Sequence, residues 1–166
     1  TERLQRELRC PTLEDLYTEL NIDGVLKVFP RRTVEHFPGD PRADIWGIRR
    51  KAVLYGTGSY DEFDSHPLEA VTTVEEIHAF PWPKAADHDF ESFRKEIEQA
   101  PHHRMIRSGE YEPFLLYCAM RGIELAMMDL LAEPEIVTTA LKYIFDYHYE
   151  LNARIFEIGH GKIDVF

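Results

Sequence analysis

The 166-residue chain predicts an α/β protein built on a parallel sheet, and three observations lead there. The second half reads as a short strand at 103–107, helical periodicity over 112–131 and 134–158, and a closing strand at Lys162–Phe166. A strand that returns through helices to a neighbour is the βαβ unit, whose strands are parallel. Val137, Leu141, Ile144, His148, Leu151, Ile155 and Ile158 then recur at alternating steps of four and three, one continuous apolar stripe of a long helix. The first half supplies a further strand, "GVLKVF" at Gly24–Phe29, stopped by Pro30.

The elements follow in order. Thr1–Arg9 reads as part of a helix. Thr12-Leu-Glu-Asp15 is a helix start, a Thr cap with an acid three residues on, and predicts a helix over 12–20. Arg31–Arg42, with its Pro, Gly and Asp, reads as a loop. "DIWGIRRKAVLYGTGSY", Asp44–Tyr60, is β-branched and aromatic around Arg49-Arg50-Lys51. It predicts a strand near 44–55, either in the main sheet or in a hairpin-like excursion turning at Gly56 and Gly58. Thr73-Val-Glu-Glu76 opens a short helix before "FPWP" ends it. Phe90, Phe93 and Ile97 share a face of a helix over 89–99. In 112–131 the apolar face is Phe114, Leu115, Cys118, Ile123, Met127 and Leu130, with Gly122 marking a bend or a close approach. Pro134 suits the first turn of the last helix and Gly159 its C-terminal cap.

The composition, 44% hydrophobic and 12% aromatic, supports a core for one domain. A formal net charge of -11 argues against a nucleic-acid or anionic-membrane surface. Cys10 and Cys118 fit neither a metal spacing nor a disulfide framework and read as reduced thiols of a cytoplasmic protein. No apolar run is long enough to span a membrane, and no signal peptide is visible. The chain opens inside a helix at Thr1 and stops on a strand, so the expectation is a fragment of a longer sheet.

None of the sharp catalytic or metal motifs occurs. His102 and His103 are adjacent, so on a strand they face opposite ways and do not make a metal pair. His148 lies on the apolar stripe and reads as a satisfied buried histidine. Arg31-Arg32 and Arg49-Arg50-Lys51 are the basic clusters of an acidic chain. They are either solvated surface or anchors for substrate carboxylates, which guanidinium forks bind bidentately. Asp164, between Ile163 and Val165 near the end of the final strand, is either an active-site acid or one paired structurally with an arginine. Arg107, Glu110 and Tyr111 follow the other strand and would share its mouth, with Arg107 within reach of Asp164. Tyr117 lies further along the next helix, as a ligand contact or a core aromatic.

These residues carry a resemblance. "HPLEAVTTVEEIHAFPWP" and then Arg107–Phe166, with Gly109, Met127-Met128-Asp129-Leu130, Pro134, Tyr149–Arg154 and Gly159–Asp164, resemble the uroporphyrinogen decarboxylase superfamily. "DIWG" at Asp44–Gly47 resembles a subgroup of decarboxylase-like proteins. The resemblance covers most of the chain from about Glu14 onward. It implies a (β/α)8 TIM barrel, of which this chain would be the first part, lacking the first strand and the C-terminal half. It implies decarboxylation of the side-chain acetates of a tetrapyrrole, with Tyr117, eight residues after Gly109, contacting the tetrapyrrole, and with no cofactor in this segment. A Phe-Ser-Asp segment of the decarboxylases is replaced here by "TLEDLYTEL". Relatives that move a methyl group between a small methylated compound and a corrinoid protein imply an alternative, with zinc held by His and Cys residues of the second half. A non-catalytic tetrapyrrole- or partner-binding relative is the third expectation. The site set is then Asp164 as the catalytic acid with Tyr117, Arg107 and Tyr111 binding substrate, and no metal ligand.

Overall fold

Two short helices open the chain, α1 (Glu2–Leu8) and α2 (Leu13–Glu19), in a computed structural model that describes residues 1–101 and 104–166. The predicted capping box forms at α2: Asp15 N–H donates to Thr12 Oγ1 at 3.1 Å, and Thr12 N–H donates to Asp15 Oδ2 at 3.1 Å. Strands β1 (Val25–Lys27) and β2 (Arg31–Arg32) follow. Next come β3 (Arg49–Tyr55), β4 (Gly58–Ser65) and α3 (Val74–Ala79), the last capped by Thr73 and Glu76 as its spacing predicts. A 3-10 turn at Ala85–Asp87 leads through β5 (His88–Asp89) into α4 (Phe90–Gln99). Then come β6 (Met105–Arg107), α5 (Pro113–Arg121), α6 (Ile123–Ala132) and α7 (Pro134–Ile158). The adjacent pair His102–His103 lies outside the described residues.

The molecule is mixed α/β, with small sheets and no closed barrel among the described residues. β1 pairs with β6 in parallel, Lys27 level with Arg107, and Val165 bridges Arg107 in parallel on the other side. The parallel relation expected between 103–107 and 162–166 is therefore present, although the final segment forms a single bridge rather than a full strand. Leu26 and Ile106 turn toward the core, while Val25, Lys27, Met105 and Arg107 lie exposed on the opposite face. α7 carries the core: Val137, Ile144, His148, Leu151 and Ile155 of its stripe are buried, and α3, α4, α5 and α6 pack against it.

Two expectations are corrected. The segment 44–55 is not a strand of the parallel sheet. Its β3 part pairs with β4, antiparallel, across the turn Gly56-Thr57, and with no other named strand among the described residues, so the excursion reading holds. The helix expected over 112–131 is two. Gly122 sits at φ 85 and ψ 131, outside helical space, where a side chain would be strained. Of the expected apolar face Cys118 is buried, but Phe114, Leu115, Ile123, Met127 and Leu130 are exposed, and Tyr117, Met120 and Ala126 fill the core beside Cys118.

Candidate functional site

Beyond β6 the backbone is shaped to open a cleft. Ser108 N–H donates to the Val165 carbonyl at 3.1 Å, which ends the parallel pairing. Gly109 then takes φ 97, and a Cβ there would fall 2.4 Å from the Phe166 ring. Asn152 of α7 clamps the next residue. Its Nδ2 donates to the Glu110 carbonyl at 2.8 Å, and its Oδ1 accepts from Glu110 N–H at 3.3 Å. Tyr111 is thereby set edge-on to Phe145 at 6.0 Å and to His148 at 6.4 Å.

The opposite wall is the "DIWG" turn. Asp44 Oδ1 accepts from Trp46 N–H at 2.9 Å and Ile48 N–H at 3.0 Å, a side-chain-built turn that precedes β3. Its other oxygen, Oδ2, pairs with Arg50 at 3.0 Å. The turn delivers Trp46 onto α7, stacked on His148 at 5.7 Å and 16° and edge-on to Tyr147 at 4.9 Å. His148 Nδ1 lies 2.8 Å from the Ile144 carbonyl, which only accepts, so Nδ1 is the donor of that bond and Nε2 is the ring nitrogen left outside it. The buried-histidine expectation thus holds, with one addition: the ring also lines the cleft.

Together these groups enclose about 600 Å³, lined by Arg32, Arg50, Arg107, Asp44, Glu110, Tyr111, Trp46, His148 and Phe166 among others. The basic pairs divide by strand alternation. Arg31 turns away to Glu96 at 2.6 Å while Arg32 faces the cleft, and Arg49 pairs with Asp40 while Arg50 faces the cleft. Asp44 compensates Arg50; among the described residues, no carboxylate lies in ion-pair range of Arg32 or Arg107. Burial pushes the Tyr147 hydroxyl, behind Trp46, up to about 12.

The expected site residues divide. Arg107 and Tyr111 come together in this cleft. Asp164 does not join them: the bridge pairs Arg107 with Val165, so Asp164 stands level with Ile106 on the opposite face, toward the helices. There its Oδ2 accepts Ile106 N–H at 2.8 Å, and the carboxylate ties two backbone segments instead of pairing with Arg107. It lines a smaller hollow of about 140 Å³ with Ile97, Pro101 and Arg104. Tyr117 is also elsewhere, fully buried, its hydroxyl donating to Asp129 Oδ2 at 3.1 Å. Arg121 Nε donates to the same oxygen at 2.7 Å, and its Nη1 reaches the Leu68 and Val71 carbonyls, so Tyr117 belongs to a core network rather than to the cleft. Trp46, Asp44 and His148 are cleft residues, and Asn152 the clamp of its Glu110 backbone, that the sequence reading did not assign to a site; the signal for Trp46 was the "DIWG" motif itself, and for Asn152 a polar residue on the buried side of α7.

No protein-family model, curated protein or solved structure matches this chain.

Proposed function

We propose that the cleft binds a flat ligand rich in carboxylates, of the tetrapyrrole class, and that the activity is removal of side-chain acetate carboxyl groups in the manner of uroporphyrinogen decarboxylases. The observation that carries the reading is the convergence of Arg32, Arg50 and Arg107 on one aromatic-walled cleft in a chain of net charge -11. Guanidinium forks hold carboxylates bidentately, and the faces of Trp46, His148 and Tyr111 offer the planar contact that a pyrrole ring needs. In each step the bond from the acetate methylene to its carboxyl carbon breaks, CO2 leaves, and the ring-attached carbon takes a proton. Glu110 and the Nε2 edge of His148 are the groups of the cleft placed to hold or pass that proton, and Asp164 has no part in it.

The finer fold reading rests on the same geometry. β1, β6 and the segment at Val165 would be neighbouring strands in the first part of a (β/α)8 barrel. In support, they are parallel, and Arg107, Gly109, Glu110 and Phe166 at their carboxyl ends line the cleft, as active sites of such barrels do.

The test is anaerobic incubation of the protein with uroporphyrinogen, followed by oxidation and chromatographic separation of products by carboxyl number. Stepwise appearance of species with fewer carboxyl groups is the expected result. Binding of the porphyrin without any loss of carboxyl groups would leave a binding protein and overturn the decarboxylase assignment.

A further inference from the structure

The hairpin β3–β4 leaves the tip of one sheet edge, beyond Arg50 and Lys51 of β3, without a charge. β4 carries Asp61, Glu62 and Asp64, charges of the kind that keep an edge strand from pairing. β3 runs Ala52-Val53-Leu54-Tyr55 to its tip without a charge, and Leu54 is 83% exposed. The two strands pair with each other and with no other named strand among those described. A two-stranded hairpin with exposed apolar side chains is only marginally stable in water. Ala43 covers the edge at Arg49, so the free stretch is 50–55.

We propose that this edge pairs with the same edge of a second copy of the chain, antiparallel about a two-fold axis at Val53. Hydrogen-bond parity, the covered Arg49 and the length of the pairing together select that register, because centring on Leu54 keeps the parity but pairs only residues 53–55. Tyr55 and Gly58 close a two-residue turn and are a hydrogen-bonded pair, so residues 51, 53 and 55 bond inward to β4, and 50, 52 and 54 turn their backbone groups outward. An antiparallel partner must match outward residues with outward residues. Centring on Ala52 would drive Tyr55 of the second copy onto Arg49, where Ala43 already sits. Centring on Val53 matches Ala52 with Leu54 of the second copy, twice by symmetry, and places Lys51 opposite Tyr55.

Charge points the same way. In this register no cation faces a cation, and Lys51, whose ammonium lies 3.8 Å from Asp64 of its own hairpin, stands opposite the Tyr55 ring of the second copy. Pairing through β4 would set Asp61, Glu62 and Asp64 against themselves. The result is a four-stranded antiparallel sheet in which Leu54 covers Ala52 of the other copy. The turn of the second copy stands beside Arg50, at the rim of the cleft.

Sedimentation equilibrium of the protein tests it. The contact is small, so a dimer with a dissociation constant on the order of 10 µM is expected. Ala52→Pro deletes an outward N–H while sparing the bonds inside the hairpin, and is expected to raise that constant at least about tenfold. Leu54→Lys, at an exposed position, is expected to do the same with an unchanged far-ultraviolet spectrum. Ser59→Pro, which deletes an outward N–H on the β4 edge, is expected to leave dimerisation intact. A monomer at about tenfold above that constant, an Ala52→Pro protein as dimeric as the parent, or assemblies larger than a dimer would each overturn the proposal.

Discussion

Arg121 and Asp129 form the most demanding pair in the molecule: their side chains are 6% and 7% exposed, and the guanidinium also serves carbonyls of the 68–71 segment. Removing one partner leaves the other charge buried without compensation, which costs about 3–5 kcal/mol. Arg121→Met is therefore expected to lower the denaturant midpoint strongly, whereas Tyr117→Phe, which deletes one bond to Asp129, costs about 1 kcal/mol. Equal losses in the two variants would contradict this network. The buried phenols give a pH signature. Tyr117, pushed well above the usual range by burial and by the neighbouring Asp129, and Tyr147, at about 12, ionise later in the folded chain than in the unfolded one. Their contribution to stability is full below about pH 10 and is lost as pH rises toward their folded values. An ultraviolet titration should show two late tyrosines that join the rest only when the protein unfolds. At this scale the sequence was partly legible. The paired arginines could be read as solvated surface or as carboxylate anchors, and strand alternation decides which member of each pair faces the cleft. Asp164 misled because its face depends on a register, Arg107 with Val165, that no local pattern encodes.

At the scale of elements, two glycines control the layout. Gly122 holds φ 85 with the nearest His66 ring atom 3.4 Å from where a Cβ would be, so backbone conformation rather than crowding demands it. Gly122→Ala is expected to destabilise by about 1–3 kcal/mol, read as a shift in thermal midpoint, without fusing α5 and α6. Gly109→Ala meets both a left-handed φ and the Phe166 ring, and displaces the loop that carries Tyr111. It should weaken ligand binding more than it weakens the fold. The carboxylates that cap helices contribute to stability in acid. Backbone N–H groups of Thr72 and Thr73 hold Glu76, and Ser92 holds Asp89, below the ordinary carboxylate range. Their stabilisation is present above about pH 4 and fades as pH falls through the lowered values. Capping boxes, the α7 stripe and the hairpin turn are local features and could be read from residue order. Most of the apolar face expected over 112–131 is exposed, Cys118 excepted, and apolar periodicity continues through Gly122 although the helix does not.

At the scale of the whole molecule, the parallel relation of β6 and the segment at Val165 was foreseeable from strand, helix, helix, strand order, whereas the pairing of β1 with β6 was not read from it. The meeting of β2, the "DIWG" turn, the loop after β6 and α7 around one cleft was not, since it joins segments distant in sequence. That cleft is the centre of the account, and Trp46 in its wall is a built-in reporter. The most direct measurement is a fluorescence titration of the protein with uroporphyrin as the free acid, and with its octamethyl ester. Quenching by the acid is expected to saturate, to be reduced in Trp46→Phe, in which only Trp82, 6.5 Å from position 46, still reports, and to require at least about tenfold more ligand in Arg32→Ala and in Arg107→Ala, since a charged hydrogen bond is worth about 1.5–3 kcal/mol. The ester, equally flat but without carboxylates, should not saturate the site. Equal binding of acid and ester, or arginine variants that bind the acid as the parent does, would contradict the account.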